Sequence, residues 1–128
     1  MNAQEIVAAN VAARGYRDGW TTEQFVARQL CKMTEELNEA AKESIVGLPL
    51  SRNVLWWLDK LDDAGRRARI AFDTQEDWSG AELVDSDILC SELADMQVVL
   101  FAAAAALDFD VVQAAIDKSS ADVARGVR

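Results

Sequence analysis

The chain has no histidine among its 128 residues, and histidine is the commonest metal ligand in proteins. Its absence excludes the Glu-x-x-His di-iron site of helical bundles and argues against a zinc hydrolase. Basic residues are also few: 13 Lys and Arg stand against 22 Asp and Glu, a net charge of -9. Because nucleic acids and anionic membranes are bound through clustered positive charge, we expect neither as a partner.

Cysteine is also scarce. Cys31 and Cys90 are isolated, with no CxxC motif, so we expect free thiols in a cytoplasmic protein. The N-terminal residues lack the basic segment of a signal peptide. The apolar stretch VVLFAAAAAL (98–107) is too short by itself to span a bilayer, and we interpret it as part of a buried core helix.

The spacing of apolar residues predicts helices throughout the chain. There is a single proline, Pro49, and we find no internal repeat and no linker. The sequence therefore predicts one all-α domain over residues 1–128, with a four-helix core and a short extra helix. The five predicted helices cover about 3–14, 22–46, 52–72, 87–106 and 111–125.

Start and stop signals support these boundaries. Thr21 and Gln24 fit the capping-box pattern at the start of the second helix, and Ser51 can cap the third. Asp85 or Ser86 can cap the fourth helix, and Asp110 the fifth. Gly47 and Pro49 end the second helix, and Gly65 is a candidate weak point within the third.

The second helix carries two neighbouring stripes when it is drawn as a wheel of about 100° per residue. The apolar stripe, which we expect to face the core, contains Val26, Leu30, Met33, Leu37 and Ala40. The polar stripe contains Gln29, Lys32, Glu36, Glu39 and Glu43. Glu35 lies just outside the polar stripe, one turn before Glu39.

The fourth helix places Glu92 and Asp95 on the same face as Ile88, Met96 and Val99. Because a carboxylate is rarely buried without a partner, this face predicts a cation. One candidate is a structural salt-bridge cluster with Lys32 or the arginines of GRRAR (65–69). The other is a divalent metal held jointly by Glu36, Glu39, Glu92 and Asp95. Four carboxylates without histidine form an all-oxygen site suited to Mg²⁺ or Mn²⁺.

Two motifs resemble a known family. EELNE (35–39) followed by ELAD (92–95) resembles the EExxE…ExxD signature of the all-α nucleoside triphosphate pyrophosphohydrolases. That superfamily includes MazG, the dimeric dUTPases, the all-α dCTPases and the phosphoribosyl-ATP pyrophosphohydrolases. DVVQAAIDK (110–118) is similar to the family's Asp-capped last helix, whose lysine is followed by an asparagine and an arginine. Lys118 and Arg125 match this pattern, whereas Asp122 stands in place of the asparagine.

The resemblance implies a MazG-like, oligomeric all-α protein that hydrolyses a (deoxy)nucleoside triphosphate to the monophosphate and pyrophosphate, as in housekeeping of the nucleotide pool. It implies Mg²⁺ as cofactor, with Mn²⁺ as a substitute, and a homodimer or homotetramer. The metal ligands would be Glu36, Glu39, Glu92 and Asp95. Glu35 would be the catalytic base or orient the attacking water, and Lys118 and Arg125 would contact phosphates.

Several assignments keep two alternatives. Lys32 either contacts phosphate or holds Glu36 in place. Asn38 either reads a base edge or faces solvent, and Trp56 either stacks on the base or belongs to a core or interface. The segment 47–85 makes the spacing between Glu39 and Glu92 longer than in compact members of the family, and it either covers the site or forms an interface.

A different class of function also fits the composition. An acidic helical module for oligomerisation or as an adaptor would have the same helices and a structural cation or salt-bridge cluster. The acid pair on the apolar face of the fourth helix separates the two classes, because such a module gains nothing evident from it.

Overall fold

The computed structural model describes residues 1–15, 18–44, 47–80 and 85–126. These residues form helices and no strand, which confirms the all-α class. The elements are α1 (Ala3–Ala13), α2 (Thr22–Ser44), α3 (Arg52–Thr74), α4 (Ser86–Ala106) and α5 (Val111–Arg125). The bounds agree closely with the predicted helices, except that the predicted end of the second helix at Val46 lies outside the described residues.

Local capping bonds explain why the helices begin where they do. In the capping box of α2, the Gln24 amide donates to Thr21 Oγ1 at 3.1 Å, and the Thr21 amide donates to Gln24 Oε1 at 2.9 Å. Side-chain oxygens of Ser51, Asp85 and Asp110 accept backbone N–H groups at the starts of α3, α4 and α5. These predicted caps are confirmed.

The chain divides into two compact units. Unit 1 comprises Met1–Trp20 and Glu82–Arg128 and contains α1, α4 and α5, whereas unit 2 comprises Thr21–Ala81 and contains α2 and α3. The single domain over residues 1–128 stays a prediction.

Unit 2 is an antiparallel pair of helices joined by charged side chains. Three ion pairs between described residues connect α2 to α3: Arg28–Asp73 at 3.7 Å, Glu35–Arg69 at 3.1 Å and Lys42–Asp62 at 2.7 Å. The residue numbers on α3 fall as those on α2 rise, as the antiparallel direction requires. Segment 47–85 therefore contributes a helix that packs along the helix carrying Glu35, Glu36 and Glu39.

The backbones of α2 and α3 approach closely at Gly65. A Cβ atom at Gly65 would lie 2.7 Å from Asn38 Nδ2 and 3.0 Å from Thr34 Cγ2. Asn38 is only 8% exposed, and its Nδ2 donates to the Leu61 carbonyl oxygen at 3.1 Å. Gly65 is therefore not a weak point in the third helix: α3 continues through it, and the missing side chain makes room for Asn38.

The contact face of α2 differs from the predicted one. Its apolar stripe was expected to face a core, yet Leu37 is 65% exposed and Ala40 is also exposed. The residues that reach α3 are polar, among them Glu35 and Asn38. On the helical wheel the apolar stripe lies well away from this contact face, so α3 does not cover it.

In unit 1, α1 and α5 pack as a parallel pair. Asn10 Nδ2 donates to Ser119 Oγ at 2.9 Å and to Ser120 Oγ at 3.1 Å. One turn further along both helices, Arg14 Nη1 lies 3.6 Å from Asp122 Oδ2. Residue numbers rise together on the two helices, which fixes their parallel direction.

Helix α4 is apolar and largely exposed, so the expectation of a buried core helix is wrong for this chain. Ala104 is the one buried residue of α4, whereas Val98 and Val99 are 67% and 69% exposed. Within unit 1, the described residues of α4 make no extensive interface with α1 or α5. The stretch 98–107 is the end of a 21-residue helix that is long and apolar enough to cross a membrane by length and composition alone.

Candidate active site

Glu36 and Glu39 lie on the exposed surface of α2, three residues apart, so that their side chains are neighbours on one face. Neither makes an ion pair or a hydrogen bond with another described residue. Both carboxylates are therefore solvated and not engaged in packing α2 against α3.

Glu92 and Asp95 have the same three-residue spacing on α4. They were expected on the most buried face of this helix, but both are exposed, because within unit 1 neither α1 nor α5 extensively covers α4. Within unit 1, no described cation pairs with either carboxylate. The apolar side chains around them, including Ile88, Met96 and Val99, are exposed as well.

The two acid pairs belong to different units. In neither unit do the described residues bring three or more Asp, Glu, Cys or His side chains together in a group that could hold a metal ion. The convergence of Glu36, Glu39, Glu92 and Asp95 on one cation therefore stays a prediction.

Glu35 has a different environment from the four acids. Its side chain is 18% exposed, and its Oε1 atom, which is shielded from water, lies 3.1 Å from Nε of Arg69 on α3. The two groups are not aligned as a hydrogen bond, so the contact is a charge interaction. The candidate base is thus placed where α2 meets α3.

The arginines of GRRAR were the alternative partners for the acids. Arg66 lies 3.5 Å from Asp62 and 3.8 Å from Asp63. Arg67 lies 3.0 Å from Asp63, and Arg69 contacts Glu35. Among the described residues of unit 2, none of these arginines pairs with Glu36 or Glu39, and a salt-bridge cluster that joins them to Glu92 or Asp95 stays a prediction.

Two further candidates on α2 have different positions. Lys32 is half-buried and makes no ion pair with a described residue, so it does not hold Glu36 through a salt bridge. Asn38 is buried between α2 and α3, which rules out the solvent-facing alternative. The structure gives Asn38 a packing role, and its contact with a nucleobase stays a prediction.

On α5, Asp122 connects one candidate phosphate ligand, Arg125, to the end of α1. Its carboxylate pairs with Arg125 one turn along α5 and with Arg14 at the end of α1. Asp122, the residue that departs from the pattern this helix resembles, is therefore engaged by two arginines. Lys118 and the Arg125 side chain are exposed, so both remain accessible to a phosphate.

Trp56 lies exposed on α3. Its ring meets that of Trp57 edge to face, with 4.6 Å between centroids, and Lys60 Nζ lies 5.2 Å from its centroid. Within this chain Trp56 is not a core residue, so stacking on a base and contact with a partner both stay open.

Cys31 and Cys90 are free, as expected. Cys31 is half-buried, and burial raises the pKa of its thiol. A thiol with a raised pKa is a poor nucleophile at neutral pH, so the site offers no support for cysteine chemistry.

Residue-by-residue inspection of the sequence missed the specific contacts of Arg69 and Gly65. The GRRAR run showed that cations were available, but not that Arg69 is the one that meets Glu35. The glycine at position 65, within a long helical pattern, was the one sequence signal that the backbone of another helix comes close at that point.

No match to this chain is found among protein-family models, curated proteins or solved structures. The resemblance of EELNE (35–39) and ELAD (92–95) to a pyrophosphohydrolase signature therefore stays a prediction.

Proposed function

We propose that this protein is a Mg²⁺-dependent nucleoside triphosphate pyrophosphohydrolase with a MazG-like four-helix core. It would cleave between the α and β phosphates of a (deoxy)nucleoside triphosphate and release the monophosphate and pyrophosphate.

One observation carries this proposal. The two acid pairs, Glu36 with Glu39 and Glu92 with Asp95, each lack a cationic partner among the described residues of their own unit, and the three arginines of GRRAR pair with other acids. Solvation explains the exposed acids on charged α2, whereas covering the exposed apolar side chains around Glu92 and Asp95 on α4 would bury two carboxylates that lack a partner. A cation that the protein itself does not supply accounts for both pairs.

The donor set fits Mg²⁺. All four side chains are exposed carboxylates free of ion pairs with described residues, and magnesium prefers oxygen ligands. Glu36, Glu39, Glu92 and Asp95 would hold the ion. When bound, Mg²⁺ offsets the charge of the triphosphate and favours attack by water at phosphorus.

Other side chains would activate the water and bind the phosphates and the base. Glu35 lies one turn from Glu39 and would accept the proton of the attacking water or orient that water. Lys118 and Arg125 are exposed and would contact the phosphates and offset the charge that develops on the departing pyrophosphate. Lys32 would add positive charge beside the same acid pair, and Asn38 and Trp56 remain the candidates for the base pocket.

The exposed apolar surface of α4 supports a homodimer or homotetramer, because monomeric proteins rarely leave such a surface open to water. Phosphate ligands from a neighbouring subunit would then be available to the site. The absence of a membrane partner and a cytoplasmic location are part of the same proposal, since Glu92 and Asp95 are costly inside a bilayer.

The same surface favours a second candidate, an acidic helical oligomerisation or adaptor module. Ile88, Val98 and Val99 would then bind another helix, and the acids would be solvated. This candidate predicts association without hydrolysis.

A nucleotide panel incubated with Mg²⁺ tests the proposal. We expect equal amounts of monophosphate and pyrophosphate from at least one nucleoside triphosphate, and no reaction after EDTA. An identically purified Asp95→Asn variant controls for contaminating hydrolases. Release of orthophosphate without pyrophosphate, or no turnover of any nucleotide, would contradict the proposed reaction.

A further inference from the structure

Segment 47–85 contains Arg69, which contacts the candidate base Glu35 on α2. Of the three candidate-site acids on α2, Glu35 alone has a cationic partner among the described residues of unit 2, and that partner lies on α3. The nearby cations Arg66 and Arg67 pair with acids of α3 itself, so the contact from Arg69 to α2 is distinct.

The position of Arg69 is fixed by contacts on both sides of it. One turn towards the C-terminus, Asp73 pairs with Arg28 of α2. One turn towards the N-terminus, Gly65 allows the close approach of Asn38. The register of α3 against α2 is therefore set independently of Arg69, which suits a residue that must orient a neighbour.

We infer that Arg69 is a positioning residue for Glu35, an inference that rests on the proposed pyrophosphohydrolase function. Glu39 lies one turn from Glu35 and repels its carboxylate. Arg69 Nε attracts Oε1 from α3, and because Oε1 is shielded from water, solvent has little access to this end of the contact. The carboxylate has a second oxygen with which to accept a proton.

If Arg69 positions Glu35, its loss should affect kcat and KM differently. Arg69 contacts Glu35, and the proposed function assigns the phosphate contacts to other side chains, so the loss of Arg69 should free the Glu35 side chain among its rotamers without weakening nucleotide binding. We therefore expect a fall in kcat with little change in KM. A residue that binds phosphate would instead raise KM.

The test compares Arg69→Met with Arg67→Met, which removes a charge from the same helix without touching Glu35. Pyrophosphate release with Mg²⁺ should fall in kcat by about 10- to 100-fold for Arg69→Met, the usual range for supporting residues, and stay unchanged for Arg67→Met. In a Glu35→Gln background, Arg69→Met should cause no further loss. Arg69→Lys, which keeps the charge, should retain part of the activity and serves if Arg69→Met does not fold.

Urea unfolding of the same variants gives a readout that needs neither metal nor nucleotide. The midpoint shifts of Arg69→Met and Glu35→Gln should be non-additive, because the two side chains touch. An active wild type with unchanged kcat in Arg69→Met would overturn the inference and leave the proposed function standing. A wild type inactive on every nucleotide would overturn both, and the urea coupling would then identify the pair as a packing contact.

Discussion

Helices α2 and α4 carry acid pairs of identical spacing in opposite surroundings. On α2, Glu36 and Glu39 lie among other charged residues, and the helix is fixed to α3 by ion pairs. On α4, Glu92 and Asp95 lie among exposed apolar side chains, and within unit 1 the helix has no extensive interface with α1 or α5. The pair on α2 alone would indicate only a solvated face, whereas for the pair on α4 we propose a cation, because covering the apolar side chains around it would bury both carboxylates.

The comparison also shows which residues hold the chain together. Unit 2 uses its polar residues between the helices and leaves Leu37 exposed. Unit 1 joins α1 and α5 through Asn10 and Ser119, while the apolar surface of α4 stays open. In both units exposed apolar surface remains for association, which is why we expect an oligomer.

The largest effect should come from removing an acid of α4. Asp95→Asn should lower the rate of pyrophosphate release more than about 100-fold, because it removes a proposed metal ligand. Losing a residue that only supports a metal ligand typically costs about 10- to 100-fold. It should leave the melting temperature without metal nearly unchanged, since Asp95 is exposed and unpaired with described residues.

Melting with added Mg²⁺ gives the second half of this test. Wild type should gain stability by mass action, about 2.7 kcal/mol at 100 times the Kd, and Asp95→Asn should gain less. Asp87→Asn, a change in the first turn of the same helix, serves as the charge-matched control. Near-normal turnover in Asp95→Asn would show that Asp95 of α4 does not belong to the active site.

The next effect concerns the packing of α2 on α3. Replacing Gly65 with Ala would favour an exposed helix by up to about 1 kcal/mol. Here we expect a net loss of about 1–3 kcal/mol in the free energy of unfolding, because the new methyl group meets Asn38 and Thr34. Urea denaturation measures the difference.

A second-site variant checks the cause of that loss. Asn38→Ala removes the Nδ2 atom that lies 2.7 Å from the position the new methyl group would occupy, so Gly65→Ala should be less harmful in that background. A Gly65→Ala protein as stable as wild type would mean that α2 and α3 do not approach closely at this point.

Features that depend on neighbouring residues could be predicted from the sequence, whereas features that depend on residues far apart along the chain could not. Helix starts depend on bonds over two or three residues, such as Thr21 with Gln24 and Asp110 with Gln113, and these could be predicted. The contact face of α2 depends on Gly65 and Arg69, far along the chain. Hydrophobic periodicity therefore selected the wrong side of α2.

For the candidate site, too, local features could be predicted and contacts between helices could not. Its residues could be placed on named helices with their spacing, because periodicity determines which side chains share a face. The pairing of Glu35 with Arg69 and the burial of Asn38 could not, because each depends on the register between two helices. The exposure of Glu92 and Asp95 likewise depends on what covers α4.

A smaller effect is expected from disrupting the apolar surface of α4. Val99→Lys should weaken self-association at least about tenfold, since burying one such side chain contributes roughly 1.5–3 kcal/mol. Light scattering over a concentration series measures it, with Val112→Lys on α5 as the control for an exposed valine elsewhere. A wild type that stays monomeric throughout would show that α4 does not mediate association.

The smallest effect concerns the ion pair that anchors the end of α2. The hydrogen bond from Lys42 holds the pKa of the Asp62 carboxyl below its ordinary value, with Arg66 adding to the effect. Because the folded-state pKa is lowered, the pair contributes stability above the unfolded pKa of about 3.9, and this is lost as the pH falls through the folded value. Asp62→Asn should therefore lower the urea midpoint slightly between pH 5 and 7, and the difference from wild type should shrink below about pH 4. Asp63→Asn, whose partners lie on α3 itself, is the matched control for charge. A difference for Asp62→Asn that stays constant into acid would mean that Lys42 does not fix α2 to α3 through this carboxylate.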